Sequence, residues 1–168
     1  VLVAICGTPG TGKSEIAEML SKYGFKVIHL SDFVISRHLY TNYDESRSAY
    51  VIDEDRLCRE ITSMAKHEEM LVVEGVGAEC LPADIVDLCV VLTCEPYVLE
   101  ERLRMRDFPP DKIEENLEAE RMGVVLGDAL ANYGHSKVVV IDTTYRDPEE
   151  TLSIMVDELR RRRLLGEA

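Results

Sequence analysis

Short apolar runs alternate with amphipathic stretches along this chain. Residues 1–6 form a continuous apolar run, the pattern of a strand buried on both faces. Ile16, Met19, Leu20 and Tyr23 then recur at the helical interval, and Gly24 can end that helix. Residues 26–30 read as a second strand, residues 32–40 as a helix, and residues 41–50 as a polar connection. From about Asp53, Leu57, Ile61, Met64 and Ala65 share one helical face. Residues 71–73 and 88–93 read as a third and a fourth strand. Residues 96–106 read as a helix with Leu99 and Leu103 inward, ended by Pro109-Pro110. Asp111 is placed to cap a helix that runs to about Asn132, and residues 137–141 give a fifth strand. Asp147-Pro148-Glu149-Glu150 is a capping box with proline at the first helical position. It opens a last helix whose apolar face holds Leu152, Met155, Val156 and Leu159.

Five apolar strands with intervening helices predict an α/β domain: a parallel sheet with helices on both faces. In such sheets ligands bind beyond the carboxyl ends of the strands. Asp32, Glu74 and Thr93 follow strands at that edge, and so does the segment Gly7-Thr8-Pro9-Gly10-Thr11-Gly12-Lys13-Ser14. Its spacing, GxxxxGK[ST], is that of a phosphate loop. The glycines let backbone N–H groups curl inward toward phosphate oxygens, and the following helix adds its positive end. In this pattern Lys13 reaches the β- and γ-phosphates, and the Ser14 hydroxyl ligates magnesium.

A second metal-side group is expected from the end of a neighbouring strand, where Glu74 stands. Asp32 is another candidate, and it can equally cap a helix. Arg102 and Arg106, four residues apart, fall on one helical face near the proline break. They suit the charge on a transferring phosphoryl group, or surface pairing with Glu95, Glu100 or Glu101. Asp53-Glu54-Asp55-Arg56 opens a helix, a place where acids are favourable in any case.

Composition narrows the classes. The chain has 168 residues, of which 46% are apolar, which suits one domain with a sizeable core. No apolar run is long enough to span a bilayer. With no signal-like segment ahead of the first strand, the expected setting is cytoplasmic. The net charge of −13 argues against a broad nucleic-acid surface and favours a basic partner. The arginines at 160–163 read as a solvated helix end. Cys6, Cys58, Cys80, Cys89 and Cys94 contain no CxxC pair and read as buried, reduced thiols. His29, His38, His67 and His135 have neither metal nor triad spacing and read as structural or surface groups.

On these residues the chain resembles the adenylate kinase isoenzyme 6 family of nucleoside monophosphate kinases. The likeness covers nearly the whole sequence. Beyond the phosphate loop it rests on Ser31-Asp32-Phe33, Leu39-Tyr40, Tyr43-Asp44-Glu45 and Val51-Ile52-Asp53-Glu54-Asp55-Arg56. Glu101-Arg102-Leu103 with Arg106, Lys112-Ile113 and residues 116–120 are similar to the family's short lid and following helix. The resemblance implies one P-loop NTPase domain over residues 1–168, with strand order 2-3-1-4-5. It places a monophosphate-binding region at about 30–53 and a short lid at about 105–115. It implies magnesium-dependent transfer of the ATP γ-phosphoryl group to AMP, together with ATPase activity. A role in small-subunit ribosome maturation, holding a basic ribosomal protein of the pre-ribosome, is also implied.

The implied ATP contacts are Gly10, Thr11, Gly12, Lys13, Ser14, Glu15 and Arg106. Catalysis falls to Lys13, Glu74, Arg102 and Arg106, with Ser14 and Glu74 on the metal. AMP falls to Asp32, Arg37 and Asp53. Two positions depart from the family pattern. Val76 stands where the family often has histidine, two residues after the strand-end acid, and Ile35 stands where an arginine is frequent. Arg37, two residues on, is then the cation left for the AMP phosphate. Two other readings stay open: an ATP-gated assembly factor with little kinase activity, and a kinase for another small acceptor, such as a different nucleotide or shikimate.

Overall fold

The computed structural model describes residues 1–167; Ala168, the last residue of the expected domain, lies outside them. In chain order the elements are β1 (Leu2–Cys6), α1 (Lys13–Leu20), β2 (Lys26–His29), α2 (Leu30–Ser36), β3 (Tyr40–Asp44), β4 (Ala49–Ile52) and α3 (Glu54–His67). There follow β5 (Leu71–Glu74), β6 (Leu88–Thr93), α4 (Pro96–Met105), α5 (Pro110–Met122), α6 (Val124–Tyr133), β7 (Val138–Asp142) and α7 (Pro148–Arg161).

Five strands form one parallel sheet in the order β2-β5-β1-β6-β7. Counting sheet strands alone, this is the expected 2-3-1-4-5. The pleat divides β1 between two cores. Leu2, Ala4 and Cys6 face one side, packed with Phe33, Leu57, Ile61, Ala129 and Tyr133 from α2, α3 and α6. Val3 and Ile5 face the other, packed with Ile16, Leu20, Met155 and Leu159 from α1 and α7. A third cluster, Cys94, Leu99, Leu103, Ile113 and Leu117, joins α4 to α5. Among the described residues no helix is long and apolar enough to cross a membrane.

Three expectations need correction. The polar stretch 41–50 is largely an antiparallel hairpin, β3 on β4. Its residues are mostly exposed on both faces, so no apolar alternation marks it. The single helix expected to reach Asn132 is two, because Gly123 at φ 63° ends α5 and starts α6. Asp111 does not cap a helix but lies inside the first turn of α5, whose cap is Pro109.

The thiols also differ from expectation. Cys6, Cys89 and Cys94 are buried, but Cys58 is half-buried and Cys80 is exposed. The Cys89 thiol, 3.5 Å from its sulfur, and burial push the Cys6 thiol well above its usual range.

Candidate active site

The carboxyl ends of β1, β2, β5 and β7 open onto one cleft of about 1070 Å³. One wall is the loop between β1 and α1. Gly12 caps α1 without a side-chain hydrogen bond, which leaves the first N–H groups of the helix available to an anion. The loop is held by its own bonds and by its neighbours. Thr11 donates to the Thr8 carbonyl through its N–H at 3.3 Å and its hydroxyl at 2.8 Å. The Thr143 hydroxyl donates to the Thr11 carbonyl at 3.3 Å. Gly10 has φ +93°, and a Cβ there would meet Leu99 at 2.9 Å and Leu103 at 3.1 Å. Only glycine meets both conditions.

Lys13 is buried, with Nζ 3.3 Å from the Thr8 carbonyl. Burial lowers its pKa, and the Glu74 carboxylate partly opposes that shift. Glu15 sits exposed at the mouth of the cleft.

Ser14 and Glu74 are brought together, and the connecting group is His29. Its Nδ1 lies 3.3 Å from Ser14 Oγ and 3.2 Å from Glu74 Oε2, while Nε2 bonds Glu18. The alignment comes from the sheet, where His29 and Glu74 are register partners at the ends of β2 and β5. Burial disfavours the charged ring, but the Glu18 and Glu74 carboxylates outweigh this and hold the His29 pKa above its usual value. Among the described residues no three His, Cys, Asp or Glu side chains gather as a metal cage. A hydroxyl and a carboxylate facing a nucleotide cleft fit magnesium, which takes oxygen ligands and draws most of them from phosphates and water. Val76, at the position where the resembled family often has histidine, is exposed on the cleft wall.

The arginines separate in role. Arg102 donates to Thr143 at its carbonyl (2.8 Å) and hydroxyl (3.1 Å), and to the Gly10 carbonyl at 3.4 Å. It therefore clamps the phosphate loop to the segment after β7. Arg106 follows α4, is exposed, and stacks 5.1 Å above the Phe108 ring beside the cleft.

Ser31, Asp32 and Ile35 of α2 and Tyr50 and Ile52 of β4 also line the cleft. Arg37 does not. It pairs with Glu60 of α3 at 3.1 Å and lies 4.7 Å over Phe33. Asp53 does not line the cleft either. It caps α3 by accepting the Arg56 N–H at 3.2 Å, and Arg56 donates to the His38 carbonyl. Of the three expected AMP contacts, the fold therefore puts only Asp32 on the cleft wall.

His29 escaped the sequence reading because its partners are 11, 15 and 45 residues away. Thr143 and Arg146, also at the cleft, carry no motif. Their one signal is their place directly after a strand at the binding edge.

A family model described as an AAA domain matches residues 3–123. A provisionally named adenylate kinase of Methanocaldococcus jannaschii is 34% identical over 162 residues, covering 96% of this chain and 87% of the relative. The adenylate kinase isoenzyme 6 homolog FAP7 of Saccharomyces cerevisiae is 35% identical over 147 residues, covering 86% and 74%. Among solved structures, shikimate kinase from Bacteroides thetaiotaomicron superimposes with a TM-score of 0.62 at 18% identity, covering 95% of this chain and 98% of that one. That likeness shows the fold, the α/β architecture of a P-loop kinase.

Proposed function

The chain belongs to the adenylate kinase isoenzyme 6 family of P-loop nucleoside monophosphate kinases, and from that premise we propose that it transfers the γ-phosphoryl group of ATP to AMP. The observation that carries this reading is the extent of the cleft. The cleft, about 1070 Å³, is lined both by the phosphate loop and by residues of α2 and β4. Besides the phosphate loop, Ser31, Asp32, Ile35, Tyr50 and Ile52 offer lining for a second ligand.

ATP phosphates lie against the N–H groups of the loop and the start of α1. Lys13 places a buried positive charge at the β- and γ-phosphates, where low dielectric strengthens it. Arg106 leaves its stack on Phe108 to meet the same charge as it spreads in the transition state. Arg102 keeps the loop in shape. The acceptor base lies on the apolar wall of Ile35, Tyr50 and Ile52. The acceptor phosphate oxygen bonds to the γ-phosphorus as the bond to the β,γ-bridging oxygen breaks, and two ADP result. Positioning and electrostatics suffice, with no covalent enzyme intermediate. Magnesium, when bound, shields the phosphate oxygens from one another, and Ser14 and Glu74 are the groups that would hold it.

The test is ATP plus AMP with magnesium, scoring ADP by chromatography, beside a panel of other monophosphates and shikimate. If AMP were inert while another acceptor turned over, the AMP assignment would fail. A second reading is favoured by the net charge of −13: ATP hydrolysis gating the hold on a basic small-subunit ribosomal protein, in a cytoplasmic setting. ATP hydrolysis without AMP, stimulated by such a protein, would support it, and an unstimulated rate would count against it.

A further inference from the structure

A carboxylate outside the cleft reaches the phosphate loop from the helix that follows the lid turn. Glu120 lies near the end of α5. Its Oε1 accepts the Thr8 hydroxyl at 2.7 Å, and its Oε2 accepts the Cys94 N–H at 2.8 Å. The first bond joins residues 112 apart in the chain. The second ties the same carboxylate to the residue that follows β6.

Thr8 is 2% exposed, so its hydroxyl needs a protein partner. Its peptide carbonyl accepts three donors: the Thr11 N–H, the Thr11 hydroxyl and the Lys13 ammonium. Among the described residues that carbonyl is the one acceptor within hydrogen-bond distance of Lys13 Nζ. A buried ammonium without an acceptor is costly, so where this peptide sits decides where Lys13 rests.

We propose that Glu120 is a positioning residue for phosphoryl transfer, acting on Lys13 through Thr8. The carboxylate–hydroxyl bond is charge-assisted and short, so it fixes the Thr8 side chain and, with it, the peptide that parks the lysine. Glu120 touches no substrate. It sets the aim of the cation that does. The charge belongs to the lid-side helix, so the pose of α5 is built into the shape of the phosphate loop.

The inference rests on the phosphoryl-transfer reading but not on AMP as the acceptor. ATP consumption is therefore followed with and without AMP, so an inert AMP would refute only the acceptor. Glu120→Ala, Thr8→Val, the double variant and Glu120→Gln are compared by kcat, by KM for ATP and by urea unfolding. Glu120→Ala and Thr8→Val should each lower kcat by roughly 10- to 100-fold, the loss of one charge-assisted bond. KM for ATP should stay within about 3-fold, since the N–H cradle is unchanged. The double variant should be no slower than the slower single. Glu120→Gln should recover most of kcat, because its oxygen can accept from Cys94 while its amide donates to the Thr8 hydroxyl. If Glu120→Ala does not fold, Thr8→Val and Glu120→Gln still carry the test, since both keep the bond to Cys94. Unchanged kcat in Thr8→Val, losses that multiply in the double variant, or a Gln variant as slow as the Ala variant would each overturn the proposal.

Discussion

Gly10 and Gly12 offer a controlled comparison within one loop. Their φ angles are nearly the same, +93° and +100°, but their surroundings differ. A Cβ at Gly12 meets nothing within 4 Å. A Cβ at Gly10 would lie 2.9 Å from Leu99 and 3.1 Å from Leu103, both fully buried. Gly12→Ala therefore adds left-handed strain alone, about 1–2 kcal/mol. The smaller freedom of the unfolded chain returns about 0.4–1 kcal/mol, leaving a net cost of about 1 kcal/mol. Gly10→Ala carries the same strain plus overpacking of about 1–3 kcal/mol, for a total of about 2–4 kcal/mol. With a urea slope of about 2 kcal/mol/M, the midpoint should fall by about 0.5 M for Gly12→Ala and about 1–2 M for Gly10→Ala. The assay is urea unfolding followed by circular dichroism without nucleotide. In a double-mutant cycle Leu103→Ala should relieve part of the Gly10→Ala cost, with a coupling of about 1 kcal/mol. Equal midpoints for the two glycine variants, or no coupling with Leu103, would refute the packing of α4 on the phosphate loop.

Three further outcomes follow from the site. Lys13→Met should abolish transfer and yet raise the urea midpoint at neutral pH, because burial disfavours the lysine charge in the folded state. The same depressed pKa means that stability of the parent protein rises with pH from the folded value of Lys13 up to about 10.4, so the variant's advantage should shrink there; an advantage that persists would contradict the burial cost. His29 has the opposite sign. Its raised pKa contributes stability that is full below about pH 6.5 and is lost as pH rises through the folded value. In metal-free buffer His29→Gln should flatten that loss, and an unchanged pH profile would exclude the bridge between Glu18 and Glu74. Arg102→Lys should lower stability by about 1–2 kcal/mol, since one ammonium cannot span Gly10 and Thr143. Arg106→Lys should leave the midpoint unchanged and cut kcat, and matching behaviour of the two variants would reject their division of roles.

The phosphate loop and the five strands were legible because both are local. A fixed glycine spacing and short apolar runs carry their own meaning. The β3–β4 hairpin was not legible, since its side chains face solvent on both sides and leave no period-two signal. The arginine pair shows where spacing stops helping. Helical periodicity put Arg102 and Arg106 on one face, but Thr143, 41 residues further on, captures the first. Arg106 falls at the end of α4, where the helix no longer sets its direction. Arg37 is similar, because Glu60 of α3 draws it from the cleft. His29 and Glu120 gain their partners only when the sheet and α5 are assembled. Contacts of that range have no trace in a single sequence.

The sheet order also has a consequence in time. β1 is the central strand, yet its two neighbours, β5 and β6, begin at Leu71 and Leu88. At about 5–20 residues per second on the ribosome, β1 waits about 4–16 s for both neighbours to be made. Until β5 is made, about 3–13 s, its five apolar residues, Leu2–Cys6, have neither edge paired. Such a strand is a template for pairing with other chains. Closing two long loops must precede the core, so folding should be slow beside that of the local β3–β4 hairpin. The strand that carries the phosphate loop is therefore also a segment of the nascent chain that a chaperone would shield.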